Sequence, residues 1–463
     1  MASTVDRTNL AVGNVRKLIV RLAIPLICAE LINALYNIID RVYIGHIPEV
    51  GAYALTGVGL TFPIIMCIAA FAALWGMGGA PLCSIARGEG RDEYAEQILG
   101  QSTFTLIITC IVVTVVGLIF RTPLLYAFGA SADTFVYAND YITWYIGGCF
   151  TVMLTIGLNP FLTAQGFART GMITVLTGAV ANLILDPIFI FGLHMGVRGA
   201  ALATVIAQFI SFLWVLRFLL GNKTKLKLRA KNLKPNGPII KRIFMLGLSQ
   251  CIMRLTESAV QIVCNVQLQR FGGDMALGAM TLLNTVRQMS FTILNGFGSG
   301  MQPVMGFNYG ARIYSRVREA YKFTVTVTFI YDLIIFALVE FFPRAVIGIF
   351  TNDEALIQVA VPAMRIFFCF VFLVAFQTAS QMSFIALNKP KFAIFFSLLR
   401  KVCIVIPLAL ILPNVHNLGA TGVFMADPIS DIIGPAACFL TFIFTVWRKL
   451  KRMEDDPVQQ HLT

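Results

Sequence analysis

The second half of the 463-residue chain repeats the first half at an offset of about 220 residues. The matches keep one register and fall on glycine and proline as well as on apolar residues, which composition alone does not produce. Gly76, Gly78, Gly90, Pro187 and Gly199 recur as Gly296, Gly298, Gly310, Pro407 and Gly419. A repeat of this length predicts two copies of one structural unit.

The composition excludes an ordinary soluble chain, because 57% of the residues are hydrophobic and only 13% are charged. Twelve apolar stretches are long enough to cross a bilayer, six in each half. We therefore predict an all-α integral membrane protein with twelve transmembrane helices in two parallel six-helix repeats. The predicted spans are 17–40, 52–80, 95–120, 136–161, 170–193, 197–220, 240–268, 275–304, 320–343, 356–385, 391–413 and 419–447.

The net charge of +13 could indicate nucleic acid binding, but the basic residues are distributed as in a membrane protein. Counted over the termini, loops and span ends, 25 Lys and Arg residues, Arg7 among them, fall on the side of the termini. The loops on the opposite side hold five. Because basic residues concentrate on the cytoplasmic side, both termini are predicted to be cytoplasmic, in a cell (plasma or inner) membrane, with no nucleic acid partner.

The segment GNKTKLKLRAKNLKPNGP is basic, is bounded by Gly and Pro, and separates the two halves. We predict an amino-terminal six-helix lobe over residues 1–220, a cytoplasmic linker over 221–239 and a carboxy-terminal six-helix lobe over 240–463. The basic residues of the linker are expected to lie near anionic lipid headgroups.

Neither cysteine nor histidine suggests a metal centre. The 10 Cys lie mostly inside apolar runs without a C-x-x-C motif, and His46, His194, His416 and His461 lie at loops or ends. No nucleophile–base arrangement or cofactor motif is evident. We expect no enzymatic activity, no structural metal and no cofactor other than a transported ion.

The first span carries polar residues where lipid disfavours them. Their spacing of three and four residues puts Glu30, Asn33, Tyr36, Asn37 and Asp40 on one helical face, which should line a cavity or a helix contact. Pro25 precedes this stripe in the same span and allows a bend, because proline removes one backbone hydrogen bond.

The fifth and sixth spans supply a second polar group, with Asn182 and Asp186 one turn apart and Thr204 in the next span. If these spans meet the first, the three residues and Asp40 surround one small cavity. Two carboxylates there repel each other when both are charged, which favours a proton on one of them. If both are ionised, the oxygen ligands could instead hold Na⁺. An interfacial position for Asp40 and a purely structural role for Asp186 are the alternatives.

The second half has its own polar groups. In the seventh span Arg254 and Glu257 are three residues apart and could pair, and Asp427 and Asp431 could partner basic residues of the eleventh span. The glycine motif Gly76-x-Gly78 lies in an apolar helix with no strand before it. It therefore indicates close helix packing or a hinge and not a phosphate loop.

Several segments together resemble the multidrug and toxic compound extrusion (MATE) family, prokaryotic type. They are IPLICAELINALYNIIDRVYIGH, ANLILDPIFIFG and GVRGAALAT, together with GSGMQPVMGFNYGA, which resembles a turn of the family at Pro303 to Ala311. The resemblance implies a V-shaped, two-lobed, monomeric protein. It also implies antiport, coupled to H⁺ or Na⁺, that exports small organic, amphipathic or cationic compounds by alternating access.

The resemblance also implies which residues act. The coupling cation would bind at positions matching Asp40, Asn182, Asp186 and Thr204, with Tyr36 and Asn159 nearby, and the first helix would bend near Pro25. Glu257 matches a second coupling acid that some members use. The main alternative is a flippase for lipid-linked envelope precursors, since Arg254, Arg287 and Arg400 could attract anionic headgroups. A passive channel is a weaker alternative, because no pore-ring or filter motif is present.

Overall fold

The structure is a computed structural model that describes residues 10–48, 50–128, 130–351, 353–415 and 417–455. Arg7, predicted on the side of the termini, and His416 and His461, predicted at loops or ends, lie outside these residues. Helices account for nearly all of the described chain, and no strand occurs within it. The predicted all-α class is confirmed.

The first half of the chain forms seven α-helices. They are α1 (Val15–Gly45), α2 (Gly51–Gly88), α3 (Asp92–Ala127), α4 (Ala132–Gly147), α5 (Cys149–Ala164), α6 (Ala168–Pro187) and α7 (Gly196–Leu220). A π-helical segment, Ile188–Gly192, continues α6 beyond Pro187. Proline has no N–H to give to the preceding turn, and the wider π geometry follows at this point.

The second half begins with one very long helix and then follows the pattern of the first. Its α-helices are α8 (Gly237–Gly310), α9 (Tyr314–Phe341), α10 (Pro343–Gly348), α11 (Glu354–Phe368), α12 (Val374–Ala386), α13 (Pro390–Leu398), α14 (Ile406–Ile411), α15 (Ala420–Phe442) and α16 (Arg448–Glu454). A π-helical segment, Leu399–Val405, joins α13 to α14.

The helices match the predicted spans closely. Among the described residues, nine helical stretches are long and apolar enough to cross a membrane, and the pair α4 and α5, bent by 58°, forms a tenth. The predicted seventh and eighth spans both lie in α8, whose helical backbone is interrupted at Gly273, with φ 60° and ψ −160°. Only glycine adopts these angles easily. The chain is thus a multi-pass membrane protein whose spans fit the predicted twelve.

One local prediction was wrong. The segment from Pro303 to Ala311 is not a turn, because α8 stays helical to Gly310 and the chain reverses only after it, where Arg312 has a φ of 62°. Pro303 is tolerated inside the helix, as proline is in membrane helices where neighbours satisfy the freed carbonyl.

The chain forms two compact units that exchange short segments. Unit 1 contains Ile24–Leu248, and unit 2 contains Leu10–Ala23 together with residues 249–455. Helix α1 therefore begins in unit 2 and enters unit 1 directly before Pro25, while α8 begins in unit 1 and enters unit 2 at Ser249. The lobe boundaries drawn from the sequence stay a prediction.

Hydrogen bonds hold the beginning of the chain within unit 2. Asn308 Nδ2 donates to the Leu10 carbonyl at 3.0 Å, and Arg316 Nη1 donates to the Gly13 carbonyl at 2.7 Å. Arg16 and Glu319 form an ion pair at 3.4 Å. These contacts attach the first turns of α1 to the beginning of α9.

Unit 1 holds the start of α8 by close backbone packing. A Cβ placed on Gly247 would lie 1.8 Å from the Leu74 carbonyl oxygen, and one on Gly76 would lie 2.3 Å from that of Gly157. No side chain fits at such separations, so glycine is required at these helix contacts. The helix-packing interpretation of the glycine motif is confirmed at Gly76.

The basic segment between the halves is attached to unit 1 by buried polar side chains of the helices. Gln101 Nε2 donates to the Asn232 carbonyl at 2.8 Å, and Gln165 Oε1 accepts from the Leu226 amide at 3.2 Å. Glu96 forms an ion pair with Arg229 at 2.8 Å. Residues 221–236 are therefore an ordered strap on unit 1, and their proximity to lipid headgroups stays a prediction.

Candidate cation-binding site

Three helices of unit 1 bring two carboxyl groups together. Asp40 on α1 and Asp186 on α6 are 8% and 1% exposed, and their carboxyl groups lie within hydrogen-bonding reach of each other. Asn182 Nδ2 donates to Asp186 Oδ1 at 3.1 Å and approaches Thr204 Oγ1 of α7 at 3.3 Å. The four residues that the sequence placed around one cavity thus form one cluster.

Buried carboxylate oxygens at this cluster lack donors. Asp40 Oδ1 and Asp186 Oδ2 have no hydrogen-bond donor among the described residues. Arg41, the basic residue nearest in sequence, acts on Asp40 electrostatically but forms no ion pair with it, and it lies over the ring of Phe62, 5.6 Å from its centroid. Two carboxylates in contact, away from water and without a basic partner, are stable only when a proton or a metal cation separates their charges.

Tyrosines complete the surroundings of the acid pair. Tyr36, one turn before Asp40 on α1, is half-buried and lies close enough to interact electrostatically with both acids. Tyr141 of α4 lies near Asp40 and Thr204, and its ring stacks on that of Tyr145 with centroids 6.2 Å apart. Sequence reasoning missed both α4 tyrosines. The signal was their spacing of four residues, which places both rings on one face of the span.

Two predicted residues lie away from the acid pair. Asn159 Nδ2 donates to the Gly171 carbonyl at 3.4 Å near the beginning of α6, whereas Asp186 is near its end, roughly 22 Å further along the helix. Pro25 lies fifteen residues before Asp40 on the unbroken helix α1. Roles for Asn159 in ion binding and for Pro25 in bending stay predictions.

The cluster has the chemistry of a small-cation site. Its oxygen groups are two carboxylates and the Thr204 hydroxyl, which are hard ligands of the type that alkali and alkaline-earth cations prefer, while Asn182 presents its amide nitrogen to Asp186 and Thr204. The same pair can hold one proton between its carboxyl groups. The site therefore fits H⁺ or Na⁺, the two ions predicted from the sequence.

Unit 2 contains charged side chains of both signs in its interior. Arg287 Nη1 lies 3.2 Å from Asp427 Oδ1, and Lys401 Nζ donates to Glu257 Oε1 at 3.1 Å. Arg400 forms a hydrogen-bonded ion pair with Asp431. Three carboxylates thus face three basic groups, so this network needs no additional cation.

These pairs decide three predictions about the second half. Asp431 does partner a basic residue of the eleventh span, Arg400, whereas Asp427 pairs with Arg287 of α8. The expected pair of Arg254 with Glu257 is wrong, because the ion-pair partners of Glu257 in the described chain are Lys401 and Arg287. Lys401 comes from another helix, and Arg287 lies beyond the interruption of α8 at Gly273, so close spacing along one helix could not reveal them.

Known proteins agree with this architecture. Multidrug export protein MepA of Staphylococcus haemolyticus is 24% identical over 356 residues, covering 76% of this chain and 77% of that protein. MepA of Staphylococcus aureus strain NCTC 8325 is 24% identical over 353 residues, with the same coverage. A crystal structure of MATE in the bent conformation matches with a TM-score of 0.90 at 24% identity, covering 98% of this chain and 99% of that one.

The fold, with its apolar spans and their interior charges, defines a polytopic membrane transporter. The MatE family model matches residues 25–188 and again 250–411, once in each half. The chain belongs to the MATE family, which is a family of transporters and not of enzymes. The resemblance read from the sequence motifs is confirmed.

Proposed function

We propose that this chain is a cation-coupled antiporter that exports small organic compounds, amphipathic or cationic in character. The observation that carries the proposal is the contact between Asp40 and Asp186, two buried acids with no basic partner in the described part of unit 1. The MepA relatives, which are multidrug export proteins by name, support export as the direction of transport.

The acid pair couples the ion to transport if its occupancy differs between two conformations. In the outward-open state the pair takes up H⁺ or Na⁺ and substrate leaves, and in the inward-open state the ion leaves and substrate binds. Coupling requires only that ion and substrate stabilise different states or exclude one another. Pro25 lies where α1 passes from one unit to the other. This position suits a bend in α1 that accompanies the exchange of ion and substrate.

The available driving force sets a limit on export. A membrane potential of ~100 mV contributes ~2.3 kcal/mol for one charge, and one pH unit adds ~1.4 kcal/mol. One proton per cycle therefore supports at most roughly 500-fold accumulation of a neutral substrate. The positive-inside distribution of Lys and Arg supports cytoplasmic termini in a cell membrane, and we propose a monomer.

The flippase alternative is not favoured. It requires basic side chains that are free to meet an anionic headgroup. Arg287 and Arg400 are instead paired with Asp427 and Asp431. Both positive charges are therefore neutralised by carboxylates within unit 2.

Efflux from proteoliposomes tests the proposal. A fluorescent organic cation is loaded, H⁺ and Na⁺ gradients are imposed separately, and wild type is compared with Asp186→Asn. Asp133→Asn is the matched control, because it makes the same chemical change at an exposed position on α4. We expect one gradient to drive efflux in the wild type and the control but not in Asp186→Asn.

Wild-type efflux by Asp186→Asn would remove the role given to the acid pair. Absence of transport under either gradient, with protein folded and correctly inserted, would contradict export of cationic compounds. It would also shift attention to anionic or lipid substrates.

A further inference from the structure

Helix α9 carries a buried polar face that the proposed transport cycle does not use. Thr324, Thr328 and Asp332 follow each other at intervals of four residues, and their exposures are 0%, 1% and 0%. Side chains at this spacing lie on one side of a helix. Tyr321, also buried, extends the face by one turn towards the beginning of α9, where its hydroxyl lies 2.9 Å from Ser380 Oγ.

Asp332 is poorly satisfied as a carboxylate. Ser290 Oγ of α8 donates to its Oδ1 at 3.3 Å, and this serine also interacts with the hydroxyl of Tyr331. Asp332 Oδ2 is buried and has no hydrogen-bond donor within the described residues. Thr324 Oγ1 likewise has no partner there. Two unsatisfied oxygens on one buried face are uncommon, because each costs free energy when removed from water.

No basic group in the described chain compensates Asp332. Asp431 of α15 is the other carboxyl group that faces it, and Arg400 pairs with that acid. Helix α12 has no charged residue. Among the basic residues of other helices that contact α9, Arg287 of α8 pairs with Asp427, Arg365 with Glu340, and Arg344 with Glu354.

The basic residues of α16 lie at the opposite end of α9. Arg318, near the start of α9, pairs with Glu454 of α16 and also lies over the ring of Trp447. It is fourteen residues, or roughly 21 Å along the helix, from Asp332. A carboxylate at Asp332 would therefore add one unbalanced negative charge to a unit in which Glu257, Asp427 and Asp431 already face three bases.

We propose that Asp332 is a second proton-binding site, located in unit 2, which exchanges its proton along the Thr324–Thr328 face of α9. The proton is bound at Oδ2, the oxygen that lacks a donor, and the protonated carboxyl is uncharged as its surroundings require. From Tyr321 to Asp332 the face covers eleven residues, roughly 16 Å. It links the interior of unit 2 to the end of α9 that begins at Tyr314.

The site suits a proton better than a metal ion. One carboxylate and one serine hydroxyl supply too few oxygen ligands for Na⁺, and the Asp332 side chain is fully enclosed. A proton needs only one oxygen with a free lone pair. The inference does not depend on the proposed antiport, because it follows from the surroundings of Asp332 alone.

Infrared difference spectroscopy of the full-length protein in lipid tests the assignment. The carboxyl C=O band is recorded while the pH is raised, for wild type, Asp332→Asn, Asp186→Asn and the exposed-site control Asp133→Asn. We expect a protonated-carboxyl band that is missing in Asp332→Asn and remains in both other variants. Ser290→Ala, which removes the donor to Oδ1, should change the frequency of this band. A spectrum of Asp332→Asn identical to that of wild type would overturn the proposal.

Transfer into D₂O tests the route. Deuteration shifts the Asp332 band, and its rate reports how quickly the site exchanges protons with solvent. Thr328→Val removes a hydroxyl but keeps the shape of the side chain, so exchange should slow by about fivefold, as expected for one lost hydrogen-bonding group. Thr326→Val, on the exposed side of α9, is the control. Equal rates in the two variants would refute the route, and no exchange in wild type would refute the site.

Neither readout depends on transport. A failure of ion-driven efflux with a normal Asp332 band would contradict the proposed antiport and leave this site intact. Normal efflux with an Asp332→Asn spectrum identical to that of wild type would contradict the Asp332 site and leave the proposed antiport intact.

Discussion

The two units of this transporter treat interior charge in opposite ways. In unit 1, Asp40 and Asp186 face each other without a base, so the pair remains open to a cation. In unit 2, Glu257, Asp427 and Asp431 are matched by internal bases. A balanced network stabilises one arrangement, whereas an unbalanced pair responds to ion concentration. The difference supports the proposal that the coupling ion binds in unit 1, and Asp332, which we propose as a proton site, is the exception in unit 2.

The repeat makes this divergence visible residue by residue. Pro187 and Pro407 correspond, so Asp186 corresponds to Ile406, and Thr204 corresponds to Phe424. In the other direction Asp431 corresponds to Ser211. Several glycine and proline positions recur in both halves, whereas these polar residues do not. The shared fold alone therefore does not indicate which half would bind an ion.

The comparison predicts a large loss of stability on neutralising an acid in unit 2. Asp431→Asn leaves the buried Arg400 without its carboxylate, and removal of one partner of a buried ion pair costs about 3–5 kcal/mol. We expect the thermal unfolding midpoint in detergent to fall well below that of wild type. The double variant Arg400→Gln/Asp431→Asn should recover part of the loss, and no recovery would show that the pair is not the cause.

A smaller loss is predicted for Glu257→Gln. Its side chain is 57% exposed, but its partner Lys401 is only 8% exposed and would lose a charged acceptor. A hydrogen bond to a charged group contributes about 1.5–3 kcal/mol. Unfolding midpoints measure the loss, and efflux in the same preparation tests the second-acid role. Stability lost with coupling intact would make Glu257 structural, whereas coupling lost at normal stability would support the sequence prediction.

Thr204→Val should cost less again. The change keeps the shape of the side chain and removes one hydroxyl that interacts with Asn182 and Tyr141, an effect of about 1 kcal/mol. Ion-driven efflux should be weakened rather than abolished, because both carboxyl groups remain. Thr143→Val on α4, whose hydroxyl bonds only to the backbone of its own helix at Asn139, is the control. Equal efflux by the two variants would contradict a part for Thr204 in the site.

The smallest effect on stability is predicted where the effect on transport is largest. Asp186 is 1% exposed, as buried as Asp431, yet Asp186→Asn removes a repulsive charge instead of an attractive one. We expect a change in unfolding free energy of less than about 0.5 kcal/mol or a modest gain. A loss of unfolding free energy as large as that of Asp431→Asn would show that a basic group stabilises Asp186. It would contradict the contrast between the two units.

Much of the fold could be predicted from the sequence because membrane spans are long and apolar. The spans and the two halves followed from hydropathy and the repeat. The grouping of Asp40, Asn182, Asp186 and Thr204 followed from their polarity inside such spans. The partners of Glu257 could not be predicted, because Lys401 lies on another helix and Arg287 lies beyond the interruption of α8 at Gly273. The turn predicted at Pro303 to Ala311 was wrong because it rested on the resemblance to a family motif, whereas the helix continues to Gly310.

Asp332 shows a further limit of sequence reasoning. It is one acid in an apolar span, which marks it as a candidate functional residue, but no other acid lies close to it in sequence. Its importance depends on Ser290 of another helix and on the absence of a base among its described neighbours. The contacts that hold residues 221–236 on unit 1 could likewise not be predicted, because Gln101 and Gln165 are far from this segment in sequence.

The exchange of segments between the units has a consequence for biosynthesis. The ribosome makes the Leu10–Ala23 segment of unit 2 first, and unit 1 remains incomplete until Leu248 has emerged. Cutting the chain within residues 221–236 would therefore leave each fragment without a piece of its own unit. The exchange makes the maturation of the two halves interdependent, so a ribosome that stalls after the sixth span would release a product that cannot finish assembling on its own.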